Sequence, residues 1–312
     1  MKDKKKKSVF RYAHFAMGTT FEILLAEEDE GYGRQISQAV FAEIDRIRSL
    51  ISRFDPTSEV GQINRLRAGQ SLHIGVETFE CLQTALSIQE ETGGAFDINI
   101  GSLMKYRDAQ SSGSRPPRTD LLKQLKLIRK SRRYQVKYLP ARDTEKPTEL
   151  NLDLGAIGKG YALDSTRQIL SDWGVEKALI HGGTSTALAV GTPPEGEGQR
   201  KGWPVGIGGN WECPNTPKKF FLMDRALSGS GTEVKGDHIF DPRTNKPAKG
   251  HKAVWVSHPV AAVADALSTA FMVMNIEEVR AYCKEHPDVW ALVVIDPRTC
   301  EVLNPDTALF SA

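Results

Sequence analysis

No run of about 18 apolar residues occurs in the 312-residue chain, so no segment has the composition of a membrane-spanning helix. The glycine-rich fingerprints G-x-x-x-x-G-K-[ST] and G-x-G-x-x-G are both missing, which removes the P-loop and Rossmann readings. Cysteine is scarce: Cys81, Cys213, Cys283 and Cys300 stand far apart with no C-x-x-C. They read as four reduced thiols, not as a zinc site or a disulfide framework. Charge of one sign is lacking too, since 41 basic and 39 acidic residues leave a net charge of +2, too balanced to favour nucleic acid as a partner. The N-terminus MKDKKKKSVFRYAHF is basic but has no apolar h-region, so it is not a signal peptide as it stands. As written the chain reads as cytoplasmic, and export would need a leader ahead of Met1. What is present is ordinary for a globular protein: 40% apolar and 26% charged residues, in a length that suits one large domain or two joined lobes.

Hydrophobic periodicity sets out the elements. MGTTFEILLA (17–26) alternates like a strand, and residues 34–52 carry Ile36, Val40, Phe41, Ile44, Ile47 and Ile51 at helical spacing. Residues 75–97 form a second amphipathic helix stopped by Gly93 and Gly94. From about Arg107 to Lys146 the chain is basic and polar without interleaved aromatics, which predicts a solvated helix and hairpin in preference to a nucleic-acid patch. TELNLDLGAIGKGYALDSTRQIL reads as strand, tight turn and helix, and KALIHGGTSTALAVGT as two strands about a Gly-Gly turn. AAVADALSTAFMVM (261–274) predicts a helix and VWALVVIDP (289–297) a buried strand. Helices and strands mix without a regular βαβ rhythm, so the fold class is α+β. Residues 1–14 read as a flexible basic tail and 15–312 as a single domain.

Five segments put small residues beside a carboxylate, hydroxyl or imidazole: MGTTFE, TGGAFDINIG, DLGAIGKGYALD, SGSGTEVKGDHIFDPRT and ADALSTA. In DLGAIGKGYALD a lysine sits between two glycines where a helix begins. Free N–H groups and a partial positive charge at a helix N-terminus, with a lysine beside them, suit a phosphate. Alone, the stretch reads equally well as a strand-to-helix turn with a solvated lysine.

Together, in this order and spacing, the five segments closely resemble the FAD:protein FMN transferase (ApbE-type flavin transferase) family, from about Met17 to Leu303. The resemblance implies an α+β fold of mixed sheets, related to the T-fold, with flanking helices and an FAD site in a cleft between two intertwined lobes. It implies a Mg²⁺-dependent enzyme that cleaves FAD, releases AMP and attaches FMN through a phosphoester to a Thr or Ser of an acceptor flavoprotein. It also points to metal ligands in ADALSTA, where Asp265, Ser268 and Thr269 share one helix face, with Ala156 contributing its carbonyl. Ser268 and Thr269 could instead hydrogen-bond back into their helix. Met17, Phe54, Ala95, Phe96, Asp97, Asp153, Lys159 and Ile239 match FAD-contacting positions, Lys159 near phosphate. Core packing is the alternative for Phe54 and Phe96, and turn capping for Asp97. His238 matches the general base for the acceptor hydroxyl, with Asp265 and Lys159 completing the catalytic set. Asp164 reads as a helix-surface residue.

The sequence departs from the family where Thr184 follows Gly182-Gly183 in place of the usual aspartate, in the loop SGSGTEVKG, and in lacking the leader of the family's many exported lipoproteins. Two other functions share the motifs: hydrolysis of FAD to FMN and AMP, and flavin binding without turnover.

Overall fold

The computed structural model describes residues 8–27, 29–101, 124–140, 150–194, 202–209, 211–213, 216, 219–231, 239–244, 246–248 and 250–305. Among these, eight strands build one sheet: β1 (Ser8–Ala16), β2 (Thr19–Glu27), β6 (Ala178–Gly182), β7 (Thr186–Val190), β10 (Ala226–Gly231), β13 (Ala253–His258), β14 (Trp290–Asp296) and β15 (Thr299–Leu303), adjacent in that order. Every neighbouring pair is antiparallel. A smaller sheet has the order β3 (Ser71–Ile74), β5 (Arg133–Tyr138), β4 (Leu125–Lys130), and the short β11 (Phe240–Asp241) and β12 (Lys246–Pro247) pair with each other. The mixed helix-and-sheet architecture is the α+β class that the sequence predicts.

The large sheet is covered on both faces, and residue alternation sorts its side chains between two cores. Ala226 and Leu188 point to a core shared with the helices, whereas Leu227, Ala187 and Ala189 point to a second core on the other side. The helical layer holds α1 (Glu30–Ile51), the short α2 (Glu59–Ile63), α3 (Val76–Glu91), α4 (Gly158–Asp172) and α5 (Ala261–Val273). The six predicted apolar residues of α1 are all buried there. Each side chain of that size contributes about 1.5–3 kcal/mol of gross burial. On α3 the expected stop is present, with Gly93 and Gly94 at φ 58° and 79°.

The opposite face is closed by the hairpin of β8 (Trp203–Gly206) and β9 (Lys219–Leu222), together with Trp211. Phe220 meets Trp290 edge-on at 5.2 Å, and Trp211 lies 5.7 Å from Trp255. Here the structure corrects the cysteine reading: Cys213 and Cys300 form a disulfide, with Cα atoms 5.7 Å apart across 87 residues of sequence. No spacing rule could find it, because the sheet alone brings β15 beside residue 213. Cys81 and Cys283 are free, as expected, and both are buried.

Two further expectations change. Residues 8–14, which the sequence places in a tail over 1–14, belong to β1, the edge strand. Arg11 bonds the Glu22 carboxylate at 2.6 Å across this pair, which makes the basic strand compatible with a sheet edge. Residues 150–154 belong to no strand ladder, although the Asp153 N–H donates to the Ile98 carbonyl at 2.7 Å and the Asn151 carbonyl accepts from the Gly101 N–H at 3.1 Å. The side chain of Asn64 bonds both the N–H and the carbonyl of Leu152, at 2.6 and 3.0 Å, and Asn99 takes the Asn151 N–H at 2.7 Å. Two amide side chains thus stand where a neighbouring strand would. In the basic 107–146 region the expected hairpin is β4–β5, and the expected helix lies outside the described residues. Among the described residues no helix is long and apolar enough to cross a membrane.

Candidate active site

The site forms where α4 and α5 cross on the helical face of the sheet. Neither helix has a side-chain cap of its own: Ile157 and Val260 hold the N-cap positions without a side-chain hydrogen bond. Each helix is capped by the other. Asp265 of α5 accepts from the Gly160 N–H of α4 at 3.1 Å, and Asp164 of α4 accepts from the Ala261 and Ala262 N–H groups of α5 at 2.9 and 2.8 Å. Carboxylates at helix N-termini satisfy orphan donors and complement the dipole. Asp164 is therefore a largely buried clasp and not the surface residue that the sequence suggests. Burial raises its carboxyl above the usual range, against the pull of the two N–H donors and Arg167.

Asp265 is 3% exposed, at the centre of a polar cluster. Lys159 Nζ lies 3.3 Å from each carboxylate oxygen and 3.3 Å from the Gly155 carbonyl. Thr186 on β7 and Ser228 on β10 place their hydroxyls 3.2 and 3.0 Å from Asp265 Oδ1. One turn along α5, Ser230 bonds Ser268 at 2.9 Å and Thr269 at 3.3 Å. Ser268 also donates to the Asp265 carbonyl at 2.8 Å, the helix-internal bond that serine favours. Thr186, Ser228 and Ser230 escaped the sequence reading. The signal was there: they occupy alternate positions on strands whose other alternates are apolar, so they face α5.

The donors gathered here are all oxygens: the Asp265 carboxylate, the Gly155 carbonyl and the Thr269 hydroxyl. Such a set suits a hard cation such as Mg²⁺. The Lys159 ammonium already stands between the carboxylate and the carbonyl. No group of three His, Cys, Asp or Glu suited to a metal occurs among the described residues, so Asp265 is the charged centre of this site. Ala156, the expected carbonyl donor, adjoins the Gly155 carbonyl that faces the ammonium.

The phosphate-like turn leads outward from this centre. The Asp153 carboxylate accepts from the Gly155 N–H at 2.9 Å and pairs with Arg53 Nε at 2.9 Å, and the Arg53 guanidinium lies 4.2 Å from the centre of the Phe54 ring. Phe54 is 81% exposed, which removes core packing as the explanation of its ring. Phe96 and Ala95 are buried in the helical core, and Asp97 caps a short 3₁₀ turn through the Asn99 N–H at 2.8 Å. Met17 and Gly18, at φ 49° and 73°, form the tight turn between β1 and β2. The structure thus brings Lys159, Asp265, Ser268 and Thr269 together, with Asp153 and Phe54 on one approach, and it keeps Phe96 inside. Ile239 is buried, its carbonyl accepting from the Ala248 N–H at 2.9 Å. His238 lies outside the described residues. Just after it, Arg243 of HIFDPRT pairs with Asp241 at 3.1 Å and Glu278 at 2.8 Å, and donates to the Val273 carbonyl at the end of α5. Thr184, where the family has aspartate, is exposed in the turn between β6 and β7.

A groove of about 560 Å³ runs along the other flank of α4, lined in part by Glu80, Tyr161, His258 and Tyr282, and includes none of these predicted site residues.

Comparison with known proteins agrees with this architecture. The ApbE family model matches residues 17–293. FAD:protein FMN transferase of Klebsiella pneumoniae is 26% identical over 293 residues, covering 86% of this chain and 79% of that protein. The same-named protein of Treponema pallidum is 26% identical over 275 residues, covering 82% and 76%. Among solved structures, the apo flavinyl transferase ApbE of Pseudomonas stutzeri superposes with TM-score 0.78 at 22% identity, covering 99% of this chain and all of that one. The ApbE protein of Thermotoga maritima superposes with TM-score 0.75 at 26% identity, covering 95% and 97%.

Proposed function

The chain belongs to the ApbE family, and from this membership we propose that it is a Mg²⁺-dependent FAD:protein FMN transferase, with FAD as substrate and an acceptor flavoprotein as partner. The observation that carries the reading is the Asp265–Lys159–Gly155 arrangement. A buried carboxylate and a carbonyl converge on one cation position, beside a helix N-terminus that can receive phosphate. Asp265, Thr269 and the 155–156 carbonyls would hold Mg²⁺, with Ser268 behind them. When bound, the metal supplies charge neutralisation at the FAD pyrophosphate.

The chain's own residues then divide the work. Lys159 moves its ammonium from Asp265 to a phosphate oxygen, keeping one positive charge at the α4 N-terminus. Asp153 and Arg53 hold the turn that approaches the nucleotide, and Phe54 offers an exposed ring for stacking. Met17, Ala95, Phe96, Asp97 and Ile239 shape the walls behind. An acceptor Thr or Ser hydroxyl attacks the FMN phosphorus, His238 takes the hydroxyl proton, and the bond to AMP breaks. One phosphoester forms as one pyrophosphate bond is lost, so AMP leaves in equal number.

Incubation with FAD, Mg²⁺ and an acceptor bearing a flavinylation threonine tests this. AMP together with an adduct of FMN mass is the expected result. AMP without adduct would assign water as the acceptor, and FAD binding without AMP would leave a flavin carrier.

A further inference from the structure

We infer that Thr186 and Ser228 are positioning residues for Asp265, holding its carboxylate so that one side stays free for the cation. This rests on reading Asp265 as the cation ligand. Both hydroxyls are buried, Thr186 at 2% exposure and Ser228 at 0%, and they come from neighbouring strands directly opposite each other, in register Ser228 with Thr186. They lie 3.0 Å apart, and each reaches the same oxygen, Oδ1.

A hydroxyl carries one proton, so its choice of acceptor matters. Ser228 has the Ser185 carbonyl within 3.1 Å as an alternative, and each hydroxyl has the other. An ionised carboxylate makes hydrogen bonds roughly twice as strong as a neutral acceptor does. The protons therefore go to Oδ1. On Oδ2 the Gly160 N–H occupies one direction. Three donors from α4, β7 and β10 thus fix the plane of the carboxylate from the protein side. The remaining direction is the one that Lys159 fills, and it faces the Gly155 carbonyl. A rigid strand pair does the aiming, while the lysine is the part that can leave.

A purely structural role for the pair would be served by any side chain of the same volume. A positioning role needs the hydroxyl. The test is Mn²⁺ binding to the protein alone, followed by the electron paramagnetic resonance signal of free Mn²⁺, with FAD affinity and urea unfolding measured on the same samples. Thr186→Val keeps the shape and removes the donor, Ser228→Ala removes the other, and Thr186→Ser restores a hydroxyl. Loss of such an outer partner typically weakens a metal site about 10–100-fold, the effect expected for Thr186→Val and Ser228→Ala, while Thr186→Ser stays near the parent. Cation-free FAD affinity stays unchanged in all three. If one variant does not fold, the other carries the test.

Parent-like Mn²⁺ affinity in both donor-less variants, with Asp265→Ala losing it, overturns this inference alone. So does a Thr186→Ser protein as weak as Thr186→Val. A parent that binds no Mn²⁺, or an Asp265→Ala protein that binds as well as the parent, overturns the cation-site reading and this inference together.

Discussion

The two faces of the eight-stranded sheet are built from the same strands and do opposite things. Toward the helices, alternate residues of β7 and β10 include Thr186, Ser228 and Ser230, and this face encloses a carboxylate, an ammonium and a ladder of hydroxyls. Toward the β8–β9 hairpin, the intervening residues Ala187, Ala189 and Leu227 join Trp203, Trp211 and Trp290 in an apolar core, closed by the Cys213–Cys300 bridge. The hydroxyls of the first face are buried against the Asp265 carboxylate and one another, whereas the second face is apolar apart from indole N–H groups such as those of Trp203 and Trp211, which donate to the Val190 and Gly208 carbonyls. One face is arranged for chemistry and the other for holding the strands in register.

That contrast can be broken first at Asp265. Asp265→Ala removes the charged centre, and turnover falls on the order of 10³-fold, the rate equivalent of several kcal/mol of lost charge stabilisation. AMP release with and without Mg²⁺ measures it. The converse is Cys213→Ser, or reduction of the bridge, which costs about 2–5 kcal/mol of stability, with the long loop favouring the upper end. Denaturant unfolding reports that loss, and Mn²⁺ affinity stays at the parent value because the side chains of the cation cluster lie on the opposite face of the sheet. Should reduction also weaken Mn²⁺ binding, the two faces are coupled and the division fails.

Asp164→Ala sharpens the picture within the helical face. It leaves two N–H groups of α5 without their cap and costs about 1–2 kcal/mol in unfolding free energy, while the kinetic effect is carried by the misplaced Asp265. The smallest effect is one of pH. Burial holds the His251 and His258 imidazoles below their ordinary range, and His251 Nδ1 has no hydrogen-bond partner among the described residues. Unfolding returns both to about 6.5, so the unfolded chain binds more protons below that pH. Their contribution to stability is present above about pH 6.5 and is lost as the pH falls through the depressed native values. Urea midpoints across pH 5–8 check this, and His251→Leu should flatten the slope.

Much of the site was legible in the sequence because its residues sit at fixed offsets on single elements. Asp265, Ser268 and Thr269 are one helix face, and Lys159 opens another helix. The helices α1, α3, α4 and α5 and most of the strands followed from local pattern for the same reason, whereas the helix over Ile276–Glu285 was not anticipated. What escaped depends on contacts between distant segments. The Cys213–Cys300 pair, the Asp164 cap on α5 and the Asn64–Leu152 bonds span 87, 97 and 88 positions, and no local pattern announces them. The Thr186–Ser228 pair lay between these cases, since alternation placed each hydroxyl on the right face without saying what waited opposite.

Gly160 gives the α4–α5 crossing a further meaning. A methyl group there would fall on the Ala261 carbonyl and within 2.7 Å of the Ala262 nitrogen, so the two helices touch main chain to main chain. The gap between lysine and carboxylate is then gauged by two backbones, as by the jaws of a caliper. Any larger residue at 160 would force that gap wider, so the tolerance of the site is set by a hydrogen atom.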